Sequence, residues 1–291
     1  MSETRLSCLH THTTYDDGEH DIEAMCRAAY EKQLVSIGFS AHAPINKQSG
    51  IKTFWHLSED RLDEYIEEIL AAKRRWEGKL AVYLGLEVDY IKGLRSAADS
   101  DIRALNLDYI IGSVHYLVPA NGAEPFTVDG PFEELEKGLN EGFNGDWDAL
   151  MNCYYDATAE MIRIGGFDIL GHADLIKKNC HGKNYWNAET EIVRQREIAR
   201  AAMEAGITAE VNTGGINRKK INDVYPSLPF LRFFLESKVP VIITADAHKA
   251  ADIDGNYDTA LQALISADIT EHSLFLGKIN GKTVWQKEKI Y

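Results

Sequence analysis

The stretch "VPVIITADAH", residues 239 to 248, indicates the fold class of this 291-residue chain. Its apolar, largely β-branched run favours a buried strand. Asp246 and His248 follow the run two residues apart, and alternate residues of a strand point to the same face. The segment therefore predicts a strand that ends in two polar side chains capable of binding a metal ion.

Six similar runs precede this one. They occupy residues 5–10, 35–42, 80–87, 108–115, 167–172 and 207–212. Helical patterns separate them at residues 21–33, 58–76, near 97–105, 146–165, 188–205 and 226–237. The pattern at 58–76 has Ser58 as its cap and an apolar stripe of Leu62, Ile66 and Ile69. This alternation predicts βα units around a parallel sheet, in one domain spanning residues 1–291.

The segment from Val118 to Asp146 interrupts the alternation. It is rich in Gly, Asn and Pro, and it is longer than a usual connection between two elements. We expect it to form a functional loop beside the site.

The composition indicates which kinds of molecule this protein can bind. The chain is 45% hydrophobic and 26% charged, with a formal net charge of −14, and no basic run tracks a phosphate backbone, which argues against nucleic acid. No signal peptide or membrane-spanning run is recognised, so we expect a cytoplasmic protein without a membrane partner. The four cysteines are scattered, which is typical of reduced thiols, so a metal site would use His and carboxylate ligands.

Polar side chains lie at the end of every predicted strand. They are His10 and His12, His42, Glu87, His115, His172 with Asp174, Glu210 with Asn212, and Asp246 with His248. In parallel α/β barrels the chemistry gathers at the C-terminal ends of the strands, so these residues should converge although they are scattered along the chain. A mixed set of imidazoles and carboxylates suits zinc, manganese or iron.

Each feature also has another interpretation when taken alone. A single H-x-H pair can be structural, Glu87 can cap a helix or pair with a lysine, His42 can belong to a turn, and Asp246 can be an N-cap. His20, His56, His181 and His272 end no predicted strand, so we assign them surface or capping roles. A metal site is favoured because the imidazoles and carboxylates occur together at the ends of all seven predicted strands.

Seven segments together resemble the successive motifs of the polymerase-and-histidinol-phosphatase (PHP) superfamily of metal phosphoesterases. They are "LHTHTTYDDG" (9–18), "GFSAHAP" (38–44), "GLEVDY" (85–90), "GSVHY" (112–116), "FDILGHADLIKK" (167–178), "EVNTGG" (210–215) and "ITADAH" (243–248). The long segment containing "VDGPFEE" after "GSVHY" looks most like the histidinol-phosphate phosphatase branch. The chain departs from the family pattern at Asp16, where serine is more usual, and by two extra residues before Arg218.

The resemblance implies a distorted (β/α)7 TIM-like barrel with two or three divalent ions. A first ion would be held by His10, His12, Glu87 and Asp246, and Glu87 would bridge to a second ion held by His115 and His172. Asp17, His42 and His248 would surround a third, with Asp16 or His20 as alternatives to Asp17.

The implied activity is hydrolysis of L-histidinol phosphate, a small-molecule phosphate ester, in histidine biosynthesis. We predict catalytic roles for Glu87, Asp246 and His248, and substrate contacts for Lys177, Lys178, Arg218 and Asp174. Alternatives are a phosphoesterase of this fold acting on a nucleotide or another small ester, and an inactive metal-binding regulatory module. A metal amidohydrolase shares the H-x-H pair but typically uses a lysine bridge, where this chain has Glu87. The oligomeric state is not predicted.

Overall fold

The computed structural model describes residues 4–45, 49–51, 53–180 and 185–290. The strands in these ranges are β1 (Ser7–Cys8), β2 (Ser36–Phe39), β3 (Ala81–Asp89), β4 (Tyr109–Ser113), β5 (Tyr116–Leu117), β6 (Phe126–Thr127), β7 (Ile169–Leu170), β8 (Thr208–Asn212), β9 (Val241–Thr244), β10 (Glu271–Ile279) and β11 (Lys282–Lys289). The α-helices are α1 (Ile22–Glu31), α2 (Leu62–Arg75), α3 (Ser100–Arg103), α4 (Phe132–Phe143), α5 (Trp147–Ile164), α6 (Ala188–Ala205), α7 (Gly214–Asn217), α8 (Leu228–Ser237) and α9 (Tyr257–Ser266).

Seven strands form one sheet in the order β1-β2-β3-β4-β7-β8-β9, and every neighbouring pair is parallel. The first and last strands meet beyond their ends, where Thr11 and Ala247 form a parallel bridge. The amide of His12 donates to the carbonyl of Ala247 at 2.9 Å, and the amide of Ala247 donates to the carbonyl of His10 at 3.1 Å. These contacts close the sheet into a barrel, which confirms the predicted seven-stranded α/β fold.

Except for β3, the barrel strands are shorter than the runs that predict them. The first and fifth strands of the barrel, β1 and β7, have two residues each, and β9 covers only the middle of the run at 239–248. The apolar runs extend past the regular ladder into the turns where the ligand candidates lie. The predicted metal ligands therefore occupy the loops that leave the barrel, except Glu87, which lies inside β3, and the polar residues Glu210 and Asn212 lie inside β8.

The long helices agree with the predictions within a few residues. The segment at 58–76 begins with a 3-10 turn at Glu59–Arg61 before α2. Ser58 occupies the N-cap position of that turn, as predicted, although its side chain makes no capping hydrogen bond within the described parts of the chain. The segment near 97–105 contains only the single turn α3. The expected loop at 118–146 contains β6 and α4, since Phe126, Leu135 and Leu139 give it a buried apolar face.

A C-terminal hairpin of β10 and β11 lies outside the predicted elements. Its Phe275 packs with Leu9, Tyr109, Ile111, Ile169 and Ile242 inside the barrel. Two contacts place the hairpin where the strands begin, because Tyr83 Oη donates to the carbonyl of Phe275 at 3.3 Å and Lys278 Nζ to that of Leu107 at 3.3 Å. The hairpin therefore covers the end of the barrel opposite the ligand candidates. Among the described helices, none has the length and apolar character needed to cross a bilayer.

Candidate metal centre

The predicted metal ligands come together at the C-terminal ends of the barrel strands. They border a cavity of about 360 Å³. Seven of them line it: Asp17, His42, Glu87, His115, His172, Asp246 and His248. His10 and His12 are fully buried beneath this wall.

A first cluster forms around one oxygen of Glu87. Glu87 Oε2 lies 3.2 Å from His10 Nε2 and 3.7 Å from His12 Nε2. Asp246 Oδ1 lies 3.3 Å from His12 Nε2 and 3.8 Å from His10 Nε2. Nitrogen and oxygen ligands about 2.0–2.2 Å from a tetrahedral ion lie roughly 3.3–3.6 Å from one another, and these four separations lie within about 0.2 Å of that range.

The same atoms lack other partners. His10 Nε2, His12 Nε2 and Glu87 Oε2 are buried and have no hydrogen-bond partner among the described residues. Buried polar atoms are normally paired, because an unpaired one costs the free energy of its lost hydration. A divalent cation would satisfy all three atoms, so the residues present fit the metal that the resemblance implies.

The other oxygen of Glu87 faces a second group. Glu87 Oε1 lies 3.0 Å from His172 Nε2 and 3.7 Å from His115 Nε2. It also accepts a hydrogen bond from Ser113 Oγ at 2.6 Å. Because its two oxygens point to two different sets of imidazoles, Glu87 has the arrangement of a carboxylate that bridges two ions.

A third group lies nearer the cavity mouth. Asp17 Oδ1 is 3.2 Å from His248 Nε2 and 4.0 Å from His42 Nε2, and His12 also reaches this group. The alternative Asp16 accepts from His12 Nδ1 at 2.6 Å and from the amides of Thr13 and His42. The structure therefore turns the Asp17 carboxylate toward the cavity and the Asp16 carboxylate toward the polypeptide.

Three carboxylates support the imidazoles from behind. Glu210 Oε2 lies 2.9 Å from His10 Nδ1, Asp16 Oδ2 lies 2.6 Å from His12 Nδ1, and Asp89 Oδ1 lies 2.6 Å from His115 Nδ1. A carboxylate can only accept, so each Nδ1 donates its proton, and in the neutral imidazole the Nε2 lone pair faces the cluster. Such pairs fix the tautomer and orientation of metal-binding histidines.

Sequence reasoning missed Asp89 and Asp129. Asp89 is two residues after Glu87 on β3, so strand alternation alone could have placed it on the same face. Asp129 lies in the segment that was expected to be a loop and lines the cavity. The side chains of His56 and His272 are about 2% exposed, so the surface or capping role expected for them is wrong. His181 lies outside the described residues.

The pKa values of the cluster histidines differ in direction. Burial lowers the pKa of His42 to about 4 and outweighs the opposing pull of Glu87, so its imidazole is neutral at pH 7. Burial also lowers the pKa of His12 and His115, but Asp16 and Asp89 outweigh it and raise each pKa to about 10. Those two imidazoles have to lose a proton before they can act as metal ligands.

The carboxylates of the cluster are ionised. Burial alone would raise the pKa of Glu87 and Asp246, yet His10 beside Glu87 and Arg218 beside Asp246 hold both pKa values well below their usual range. Two buried negative charges thus face the imidazole nitrogens, which is the chemistry of a divalent metal site.

Four basic or acidic side chains were predicted to contact substrate. Arg218 pairs with Asp246 through Nη2 and Oδ2 at 2.8 Å, Lys178 pairs with Asp129 at 2.9 Å, and both cations line the cavity. Lys177 Nζ lies 3.1 Å from Asp174 and donates to the carbonyl of Val224 at 2.7 Å. The substrate contacts of all four remain predictions.

Two proteins that are similar to this chain in sequence are named histidinol-phosphatases. A histidinol-phosphatase of Bacillus subtilis is 26% identical over 265 residues, which cover 87% of this chain and 97% of that protein. A probable histidinol-phosphatase of Deinococcus radiodurans is 28% identical over 238 residues, covering 82% of this chain and 84% of that protein.

A solved structure shares the fold. Histidinol phosphate phosphatase from Lactococcus lactis, complexed with zinc, L-histidinol and phosphate, superimposes with a TM-score of 0.70 at 18% identity over 96% of this chain and 99% of that one. The family model of the PHP domain matches residues 9–214, most of the chain. With the barrel and its converging strand ends, this match shows that the chain belongs to the PHP domain family.

Proposed function

We propose that this chain is a phosphoric monoester hydrolase that converts L-histidinol phosphate and water to L-histidinol and phosphate, a step of histidine biosynthesis. The relatives named histidinol-phosphatase, which align with most of the chain, support the substrate. The four cysteines form no disulfide among the described residues, which supports a reaction in the cytoplasm.

One observation carries the proposal. Nine imidazole and carboxylate side chains from distant parts of the sequence come together, seven lining one cavity and two directly beneath it, and five of their buried atoms lack a hydrogen-bond partner in the described structure. Two or three divalent ions of zinc, manganese or iron fit this donor set. When bound, they would supply positive charge for the phosphoryl and leaving oxygens and lower the pKa of the attacking water.

The cationic side chains of the wall are suited to the phosphoryl group. Arg218 presents a planar set of donors that matches phosphate oxygens, and its salt bridge to Asp246 holds it against the metal cluster. Lys178 adds a second positive charge at the wall. We assign both to the non-bridging phosphoryl oxygens.

Three residues of the cluster have proposed catalytic roles. Glu87 and Asp246 bind the ions, and His248 protonates the leaving alkoxide when its imidazole is not engaged by a third ion. The His248 side chain is 18% exposed, so it can reach a substrate in the cavity. We assign Asp174 to orientation of the site through Lys177 or to the substrate amine.

The rest of the wall is suited to a small organic alcohol. Trp55 and Phe54 supply aromatic surface, and the segment 127–134 supplies polar and carboxylate groups. A cavity of about 360 Å³ lies within the range of small-molecule sites, roughly 300–1,000 Å³.

A phosphate-release assay tests the function. Metal-loaded protein is assayed with L-histidinol phosphate and with a panel of nucleotides and sugar phosphates, and histidinol phosphate is expected to have the highest kcat/KM. A better substrate elsewhere in the panel would reject the assignment to histidinol phosphate while leaving a phosphoesterase.

The Glu87→Gln variant tests the metal-dependent chemistry in the same assay. Loss of the bridging charge is expected to lower kcat by about 1,000-fold or more and to reduce the metal content. Glu64→Gln makes the same chemical change at a side chain that is 64% exposed on α2 and serves as the control. Wild-type turnover in Glu87→Gln would remove the bridging role.

A further inference from the structure

A chain of hydrogen bonds leads from the cavity wall into the metal cluster. Thr53 Oγ1 lies 2.6 Å from His56 Nδ1, His56 Nε2 lies 2.6 Å from Asp89 Oδ2, and Asp89 Oδ1 lies 2.6 Å from His115 Nδ1. His115 in turn faces Glu87. The side chains of His56 and Asp89 are about 2% and 1% exposed, so the middle of this series of hydrogen bonds is shielded from water.

The direction of these bonds follows from the chemistry of the groups. An ionised carboxylate only accepts, so Asp89 accepts one N–H from His56 and one from His115. A neutral His56 that donates through Nε2 must accept through Nδ1, and the Thr53 hydroxyl can donate there. Each oxygen of Asp89 is thus committed to one imidazole, and His56 fixes the second oxygen.

The outer end of this series of hydrogen bonds, at Thr53, is adjacent to part of the cavity wall. Trp55 lies between Thr53 and His56 in sequence, lines the cavity, and stacks on Tyr116 with ring centroids 5.8 Å apart and planes inclined by 15°. The amide of Leu57 donates to the carbonyl of His42 at 3.0 Å, so this segment is attached to a second ligand candidate as well.

We propose that His56 is a positioning residue that couples the wall around Trp55 to the metal ligand candidate His115, by way of Asp89. This inference rests on the proposed metal-dependent function and adds a residue to it. His56 does not touch the reacting atoms. It holds Asp89 so that His115 keeps its Nε2 toward the ion, and it holds Thr53 so that Trp55 keeps its place beside the substrate.

Three variants distinguish the effects of the hydrogen bond from Thr53 to His56 from those of the hydrogen bond from His56 to Asp89. His56→Phe keeps the ring that packs beside Trp55 but removes both hydrogen bonds, His56→Gln can retain a donor toward Asp89, and Thr53→Val removes only the outer hydroxyl. His272→Phe replaces a buried histidine of β10 and is the control for the change of residue type. Thermal midpoints of the metal-loaded proteins show that each variant is folded.

The inner end is tested by zinc affinity, measured by competition with a chelating dye in the absence of substrate. His56→Phe is expected to lower the zinc affinity of the most affected site by about tenfold. Removal of a hydrogen-bond partner behind a metal ligand typically lowers metal affinity by about 10–100-fold. His56→Gln should recover affinity to within roughly threefold of wild type, and Thr53→Val should match wild type. Wild-type affinity in His56→Phe, or equal loss in His56→Gln, overturns the positioning role.

The outer end is tested by KM and by Trp55 fluorescence. Thr53→Val is expected to raise KM for histidinol phosphate by roughly threefold to tenfold without changing zinc affinity. It should also shift the emission of Trp55 to longer wavelength, a change absent in a Trp55→Phe background. An unchanged KM together with unchanged emission overturns the coupling to the wall. Zinc affinity and emission need no substrate, so they decide the inference even if the chain hydrolyses a different ester.

Discussion

At the residue scale, the buried carboxylate of Glu210 accepts four hydrogen bonds within the site. Its Oε2 accepts from His10 Nδ1 at 2.9 Å and from Thr244 Oγ1 at 2.8 Å. Its Oε1 accepts from the amide of His172 at 2.6 Å and from Asn212 Nδ2 at 2.8 Å. One buried carboxylate on β8 therefore fixes ligand candidates that follow β1 and β7.

The Glu210→Gln variant tests this role. An amide keeps the shape of the side chain but offers one acceptor oxygen in place of two, so either His10 or His172 loses its partner. We expect zinc affinity to fall by about 10–100-fold. Equilibrium dialysis compares the zinc affinity of the variant with that of wild type. Glu197 lies on α6 with a side chain that is 52% exposed, so Glu197→Gln is the control. Affinity equal to wild type would show that Glu210 does not orient the ligands.

Residues differ in how far the sequence can place them. His10 with His12 and Asp246 with His248 follow from strand alternation, because two residues of separation put both on one face. The contact of Arg218 with Asp246 has no such signal, since the single-turn helix α7 and the turn after it bring the guanidinium there. His56 was assigned to the surface because it follows no strand, and only the tertiary fold places it against Asp89.

At the element scale, the apolar runs identify the seven barrel strands but not the C-terminal hairpin. The signal for that hairpin is present in the sequence. Asn280 and Gly281 both have positive φ, 50° and 75°, as a two-residue turn of type I′ requires, and they separate β10 from β11. The hairpin was missed because the βα rhythm ends with β9.

The hairpin is expected to be essential for stability. Phe275 is 2% exposed and fills the end of the barrel, so Phe275→Ala should lower the free energy of unfolding by about 3–5 kcal/mol. The neighbouring Leu276 is 52% exposed, and Leu276→Ala should cost less than about 1 kcal/mol. Denaturant unfolding of both variants measures the difference. Similar small losses for the two would mean that the hairpin does not complete the core.

At the scale of the whole molecule, closure of the barrel creates the site. The bridge between Thr11 and Ala247 brings the first and last strands together, and the rings of His12 and His248 stack with centroids 4.2 Å apart. Residues at opposite ends of the sequence become neighbours only because the sheet closes. The sequence predicts this convergence through the count of strands and the position of each polar residue, whereas distances and pairings require the structure.

The central claim is that these converging side chains hold divalent ions. Crystals grown with zinc and measured at the zinc absorption edge test it directly. We expect two or three anomalous peaks in the cluster, the first about 2.0–2.2 Å from the Nε2 atoms of His10 and His12, with Glu87 between the first two peaks. A well-ordered map with no peak in the cluster, or with peaks only at surface residues, would contradict it.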